Sequence, residues 1–84
     1  MPPKPMAVGF VLIGATPGEE LKVYKALQKV PEITELYPLF GEFDFIAKVE
    51  SSDFDALGAV IIRGVRSIEG IVSTKTLTGT KLEA

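Results

Sequence analysis

The longest apolar stretch comes early. Met6 to Ile13 reads Met-Ala-Val-Gly-Phe-Val-Leu-Ile, with no polar side chain. A continuous run of this length predicts a strand covered on both faces, and therefore a central one. Gly14-Ala15 is expected to turn the chain. Thr16-Pro17-Gly18-Glu19 then reads as a helix start, with Thr16 as N-cap, Pro17 in the first helical position and Glu19 closing a capping box. Val23, Tyr24, Leu27 and Val30 recur at helical spacing, Glu19, Glu20, Lys22, Lys25 and Gln28 occupy the wet side, and Pro31 ends the helix near Lys29.

The next polar-apolar pattern has the period of a strand. Ile33 to Phe40 is the second predicted strand, and Pro38 inside it places it at a sheet edge, where a missing N–H breaks no ladder bond. Gly41 separates it from a third strand, Phe43 to Glu50, and marks a hairpin. Alternation puts Phe43, Phe45, Ala47 and Val49 on one face and Asp44, Ile46, Lys48 and Glu50 on the other. Ser51-Ser52-Asp53-Phe54-Asp55 starts a second helix. Ser52 is the expected cap, and Asp53 and Asp55 are favoured by the helix dipole. Phe54, Leu57, Ile61 and Val65 form its buried stripe, flanked by Val60. Gly58 reads as a close-packing position, Gly64 as a late weak point, and Gly70 ends the excursion. Ile71 to Thr78 is the fourth strand, with Thr74, Thr76 and Thr78 on one face. Gly79 breaks it, and a mostly polar tail runs to Ala84.

The order β-α-β-β-α-β, with two right-handed β-α-β units interleaved in one antiparallel sheet, defines an α+β ferredoxin-like fold of strand order 4-1-3-2. Strands one and three are central, which agrees with the apolar first strand and the edge proline. Helices cover one face. The other carries Ile46 and half of the first strand, so a dimer through the sheet is expected.

Composition narrows the functions. The chain has 84 residues, one domain by length, with an ordered core expected over about residues 6–78 and a poorly ordered proline-rich lead from Met1 to Pro5. A domain this small buries roughly 60–65 % of its surface, yet hydrophobic residues make up 46 % of the sequence. Part of that surplus is expected to meet a partner. There is no Cys and no His, which removes the usual ligands of zinc, haem and iron–sulfur centres and excludes disulfides. No cofactor and no metal are expected. The net charge of −2, with Lys and Arg spread along the chain, argues against direct nucleic-acid binding. The run from Ala7 to Ala15 is far short of the ~18–20 residues of a membrane span. Met1-Pro2-Pro3-Lys4-Pro5 lacks the regions of a signal peptide, and a cytoplasmic setting fits.

Three segments carry a family resemblance: Pro31-Glu32-Ile33-Thr34-Glu35-Leu36-Tyr37, then Gly41-Glu42-Phe43-Asp44-Phe45-Ile46-Ala47-Lys48-Val49, then Ile68-Glu69-Gly70-Ile71-Val72-Ser73-Thr74-Lys75-Thr76. Together they resemble the effector-binding (RAM) domain of the Lrp/AsnC feast/famine transcription regulators, over about Ala7 to Thr78. The resemblance implies dimers paired through their sheets and joined into rings of four or five dimers, an octamer or decamer. It also implies an amino-acid effector bound between dimers at the turn before the third strand. Full regulators carry an N-terminal helix-turn-helix, for which 84 residues leave no room, so the sequence reads as a stand-alone domain that modulates transcription or amino-acid metabolism indirectly. A structural partner that co-assembles with full-length regulators is the alternative.

An amino acid needs an acceptor for its ammonium and donors for its carboxylate. Asp44 supplies the first. The N–H groups around Gly41 and the hydroxyls of Thr74 and Thr76 supply the second. The candidate site is therefore Gly41, Glu42, Phe43, Asp44, Thr74 and Thr76, closed by a neighbouring dimer. Each also has a plain reading. Gly41 is a default turn residue, Asp44 a side chain that bonds turn N–H groups, Phe43 and Phe45 core residues, and the threonines strand formers. A single-stranded RNA reading, on the partial likeness of Gly41-Glu42-Phe43-Asp44-Phe45-Ile46 to an RNP1 segment, lacks the flanking basic residue and places two carboxylates where phosphate would lie. No enzyme is expected: Ser51 and Ser52 have no histidine base, and there is no Asn for an acylphosphatase-type site.

Overall fold

The computed structural model describes residues 7–78. The predictions for the proline-rich lead and the polar tail lie outside the described residues. The elements follow in the order β1 (Ala7–Ala15), α1 (Glu20–Gln28), β2 (Ile33–Pro38), β3 (Phe45–Ser51), α2 (Phe54–Ala59), a π-helical continuation of α2 (Val60–Val65), and β4 (Ile71–Thr78). The four strands form one antiparallel sheet in the order β2-β3-β1-β4, which is 4-1-3-2 read from the opposite edge. The fold is the expected α+β ferredoxin-like arrangement. Pro38 lies on an edge strand, and β1 runs between β3 and β4.

Several boundaries move for local reasons. β1 continues through Gly14 and Ala15 instead of turning there. A register shift at that point brings β4 so close that the Ser73 hydroxyl occupies the space a Cβ at Gly14 would need. The capping box at Thr16 does not form. Gly18 has φ +90°, and the Glu19 N–H donates to the Thr16 carbonyl at 2.9 Å. Pro-Gly with this bond is the signature of a type II turn, so α1 starts only at Glu20, with Glu19 as an N-cap that makes no side-chain bond. At α2 the cap is Asp53, not Ser52. Its carboxylate accepts from the Ala56 N–H at 2.7 Å, and its extended backbone suits that role. β3 begins at Phe45, because residues 39–44 form the hairpin loop.

The core lies between the sheet and the helices. Val11 and Ile13 of β1, Phe45, Ala47 and Val49 of β3, Val23 and Leu27 of α1, and Leu57, Ile61 and Val65 of the second helix are buried together. Each of the larger aliphatic side chains contributes about 1.5–3 kcal/mol by leaving water. Tyr24 stacks on Phe45 with centroids 5.7 Å apart, fastening α1 over the β2–β3 side. Phe54, expected in the buried stripe, is 56 % exposed at the first turn of α2. Gly58 is not a close-packing position either, since a Cβ there would meet nothing within 4 Å. Both residues face an open groove.

The opposite sheet face carries no helix. Val8, Phe10 and Leu12 of β1, Ile46 of β3 and Leu77 of β4 share it by register, and Phe10 is 39 % exposed. The same face holds a polar cluster: the Tyr37 hydroxyl donates to Glu35 Oε1 at 2.6 Å, and Lys48 Nζ lies 3.4 Å from Glu35 Oε2. The Tyr37 hydrogen bond, with Lys48 second, holds the Glu35 carboxyl below the usual carboxylate range, and the same bond raises Tyr37 above its ordinary value.

Candidate ligand-binding site

The hairpin tip is built on Asp44. Its N–H donates to the Ile13 carbonyl at 2.8 Å, and its carbonyl accepts from the Leu39 N–H at 2.8 Å, closing the loop. Its Oδ2 accepts from the Ala15 N–H at 2.7 Å. The carboxylate thus bonds a backbone amide, but one on β1 rather than in its own turn. It ties the hairpin to the end of the central strand. Gly41 at the tip has φ +134°, a conformation side chains rarely adopt, and open space around its Cα. Phe40 and Glu42 are exposed beside it, and Phe43 is half-buried.

The threonines belong to a different place. Thr74, Thr76 and Thr78 lie opposite Ile13, Val11 and Gly9 in the β1–β4 ladder and so point toward the helix layer. There they form one wall of a groove of about 450 Å³ beneath the second helix. Leu57 and Ile61 supply its floor, Phe54 and Ile62 its rim, Gly58 its open side, and Arg66 one end. A smaller, more polar hollow of about 340 Å³, lined by Ile71, Val72 and Ser73, adjoins it and shares Arg66 and Thr74. β4 is an edge strand, so its outer backbone groups have no sheet partner among the described residues.

Of the six residues singled out in the sequence, Thr74 and Thr76 therefore share a groove, and Gly41, Glu42, Phe43 and Asp44 share a hairpin tip. One protomer does not unite the two sets. β1 lies between β3 and β4, which puts those two strands roughly 9–10 Å apart. Arg66, Phe54 and Ile62 were missed as site residues. Phe54 stands on the first turn of α2, whereas Ile62 and Arg66 are placed by the π-helical stretch, where the Arg66 N–H donates to the Ile61 carbonyl five residues back, at 2.9 Å. The wider turn re-aims the side chains that follow it, and such turns are frequent at functional sites.

The geometry bears on other chemistries. Phe45 is 4 % exposed and stacked on Tyr24, so the RNP1-like segment does not present it to a base. Among the described residues, no group of three or more Asp or Glu is placed to hold a metal ion, and no helix is long and apolar enough to cross a membrane.

A family model described as the Lrp/AsnC ligand binding domain matches residues 8–81. The chain belongs to the Lrp/AsnC family and corresponds to its ligand-binding domain. The HTH-type transcriptional regulator FL11 of Pyrococcus furiosus is 33 % identical over 70 residues, which are 83 % of this chain and 46 % of that regulator. The chain spans about half the length of the curated relatives it matches. The crystal structure of FFRP-DM1 superposes with a TM-score of 0.85 at 32 % identity, covering 89 % of this chain and 100 % of the other. The same fold occurs in the transcriptional regulator NMB0573 of Neisseria meningitidis, solved as an L-Met complex. Its TM-score is 0.81 at 16 % identity, over 93 % of this chain and 52 % of that one.

Proposed function

We propose that this domain senses a free amino acid and passes its occupancy on through the assembly of copies, modulating transcription or amino-acid metabolism in the cytoplasm. The observation that carries the reading is the threonine-walled groove at the edge of the sheet, which is open to solvent. In this reading the uncovered sheet face pairs two copies, and dimers join into an octamer or decamer. The tip of one dimer, Gly41 to Asp44, then covers the Thr74–Thr76 groove of the next. Glu42, free at the tip, adds an acceptor for an ammonium group. The L-Met complex of a regulator with the same fold supports an amino acid as the ligand.

Calorimetric titration with the standard amino acids tests this, together with sedimentation velocity at saturation. At least one amino acid is expected to bind and to shift the sedimentation profile. Absence of binding by all of them contradicts it. The bond from the Ala15 N–H to Asp44 favours one rival, in which the tip is purely structural and the domain co-assembles with full-length regulators. Mixed oligomers that form equally with and without amino acid would support that rival.

A further inference from the structure

We infer that the amino acid sensed here carries an uncharged aliphatic side chain, and that Arg66 holds its carboxylate; this rests on the sensor reading above. Two hollows meet at Arg66 and Thr74, and they differ in character. The larger has an aliphatic floor, Leu57 and Ile61, and an apolar rim, Phe54 and Ile62. The smaller is bordered by Ser73, Thr74 and the free edge of β4. An α-amino acid has the same layout: an apolar body and an ammonium on either side of a carboxylate. With the carboxylate on the guanidinium, the side chain lies in the apolar hollow. The ammonium then faces the hydroxyls and unpaired backbone carbonyls of the β4 edge.

The charges select further. Arg66 is the single formal charge among the residues lining either hollow, and no carboxylate among the described residues pairs with it. Asp53, at the start of α2, accepts from the Ala56 N–H as the helix cap. A lysine or arginine side chain laid along the aliphatic floor would lose water with no carboxylate of this protomer lining either hollow to replace it, and a Glu42 brought in at the tip of a neighbouring copy is taken up by the ligand's own ammonium. A leucine, isoleucine or methionine side chain loses nothing polar. Gly58 leaves the room such a side chain needs, since a Cβ there would face empty space.

The test is calorimetry on the full chain with L-leucine, L-isoleucine and L-methionine against L-lysine, L-arginine and L-glutamate. Isopentylamine, which is leucine without its carboxylate, is included. Two variants complete it. Arg66→Gln removes the anchor at an exposed position. Gly58→Leu fills the groove at a helical site where leucine is a better helix former than glycine, so the fold is retained. The aliphatic amino acids are expected to bind and isopentylamine to fail. Arg66→Gln is expected to weaken binding about 10- to 100-fold, the worth of a charged hydrogen bond, and Gly58→Leu to abolish it without lowering the melting temperature. Binding of lysine, arginine or glutamate more tightly than leucine, or an unchanged affinity in Arg66→Gln, overturns the inference and leaves the sensor reading standing. Silence from every amino acid overturns both.

Discussion

Removing the Asp44 carboxylate separates the anchor of the hairpin from any role in a ligand site. In Asp44→Ala the Ala15 N–H loses its acceptor. Ala15 is buried, so water does not readily replace the bond. A hydrogen bond to a charged group contributes about 1.5–3 kcal/mol, and an orphaned buried donor costs a similar amount. The loss should therefore be about 2–3 kcal/mol. For a domain of this size each kcal/mol moves the melting temperature by about 4–8 °C, which predicts a drop of roughly 8–24 °C. Asp44→Asn keeps an oxygen where Oδ2 lies and gives up only the charge, so its loss should be less than half as large. Urea unfolding followed by circular dichroism at one fixed protein concentration measures both, the concentration being held because assembly adds to apparent stability. If Asp44→Ala unfolds at the wild-type midpoint, the carboxylate does not hold the hairpin to β1, and the account of the loop is wrong.

Gly70 has φ +102°, and a Cβ there would lie 2.8 Å from Val23 Cγ2 and 3.0 Å from Glu19 Oε2. Gly70→Ala should cost about 2–4 kcal/mol from backbone strain and crowding together, read as a lowered urea midpoint, whereas Gly58→Ala should leave stability equal or higher. Glu35 has a lowered pKa in the folded chain, so its contribution is complete above 4.5 and fades as pH falls through the folded value. Tyr37 is raised, so its contribution is complete below 10.0 and is lost as pH rises through its folded value. An NMR titration should find the Glu35 midpoint moved upward in Tyr37→Phe. Phe10→Glu puts a charge in the centre of the uncovered face. If that face pairs two copies, losing two phenyl contacts at about 1.5–3 kcal/mol each weakens the dimer by about 100-fold or more, visible by sedimentation equilibrium. A wild-type chain that is monomeric at micromolar concentration removes the premise.

The sheet was legible because its signals are local and mutually consistent. An uninterrupted apolar run marks a central strand, a proline marks an edge, and the alternation of Phe45, Ala47 and Val49 marks a buried face. The helix starts were less legible because they depend on one backbone angle. Thr16-Pro17-Gly18-Glu19 fits a capping box and a type II turn equally well on paper, and the positive φ of Gly18 chooses the turn. Asp44 was found, but not its partner, since Ala15 is 29 residues away and only the β1–β3 register brings them together. The threonine wall followed from period-two alternation. Arg66 did not: a helical wheel drawn at 3.6 residues per turn places Val65 in the core correctly but does not anticipate the π turn from Ile61 to Arg66. Gly58 was read as a contact because small residues in helices usually mark close approach, whereas here the missing side chain leaves a groove open.

The most direct test of the central claim, a ligand groove completed by a neighbouring copy, is a crystal structure grown with a mixture of amino acids. The account predicts an amino acid seated between Thr74, Thr76 and Arg66, with the Gly41–Asp44 segment of an adjacent copy within van der Waals contact of it. An empty groove, with every hairpin tip standing in solvent away from its neighbours, would contradict it.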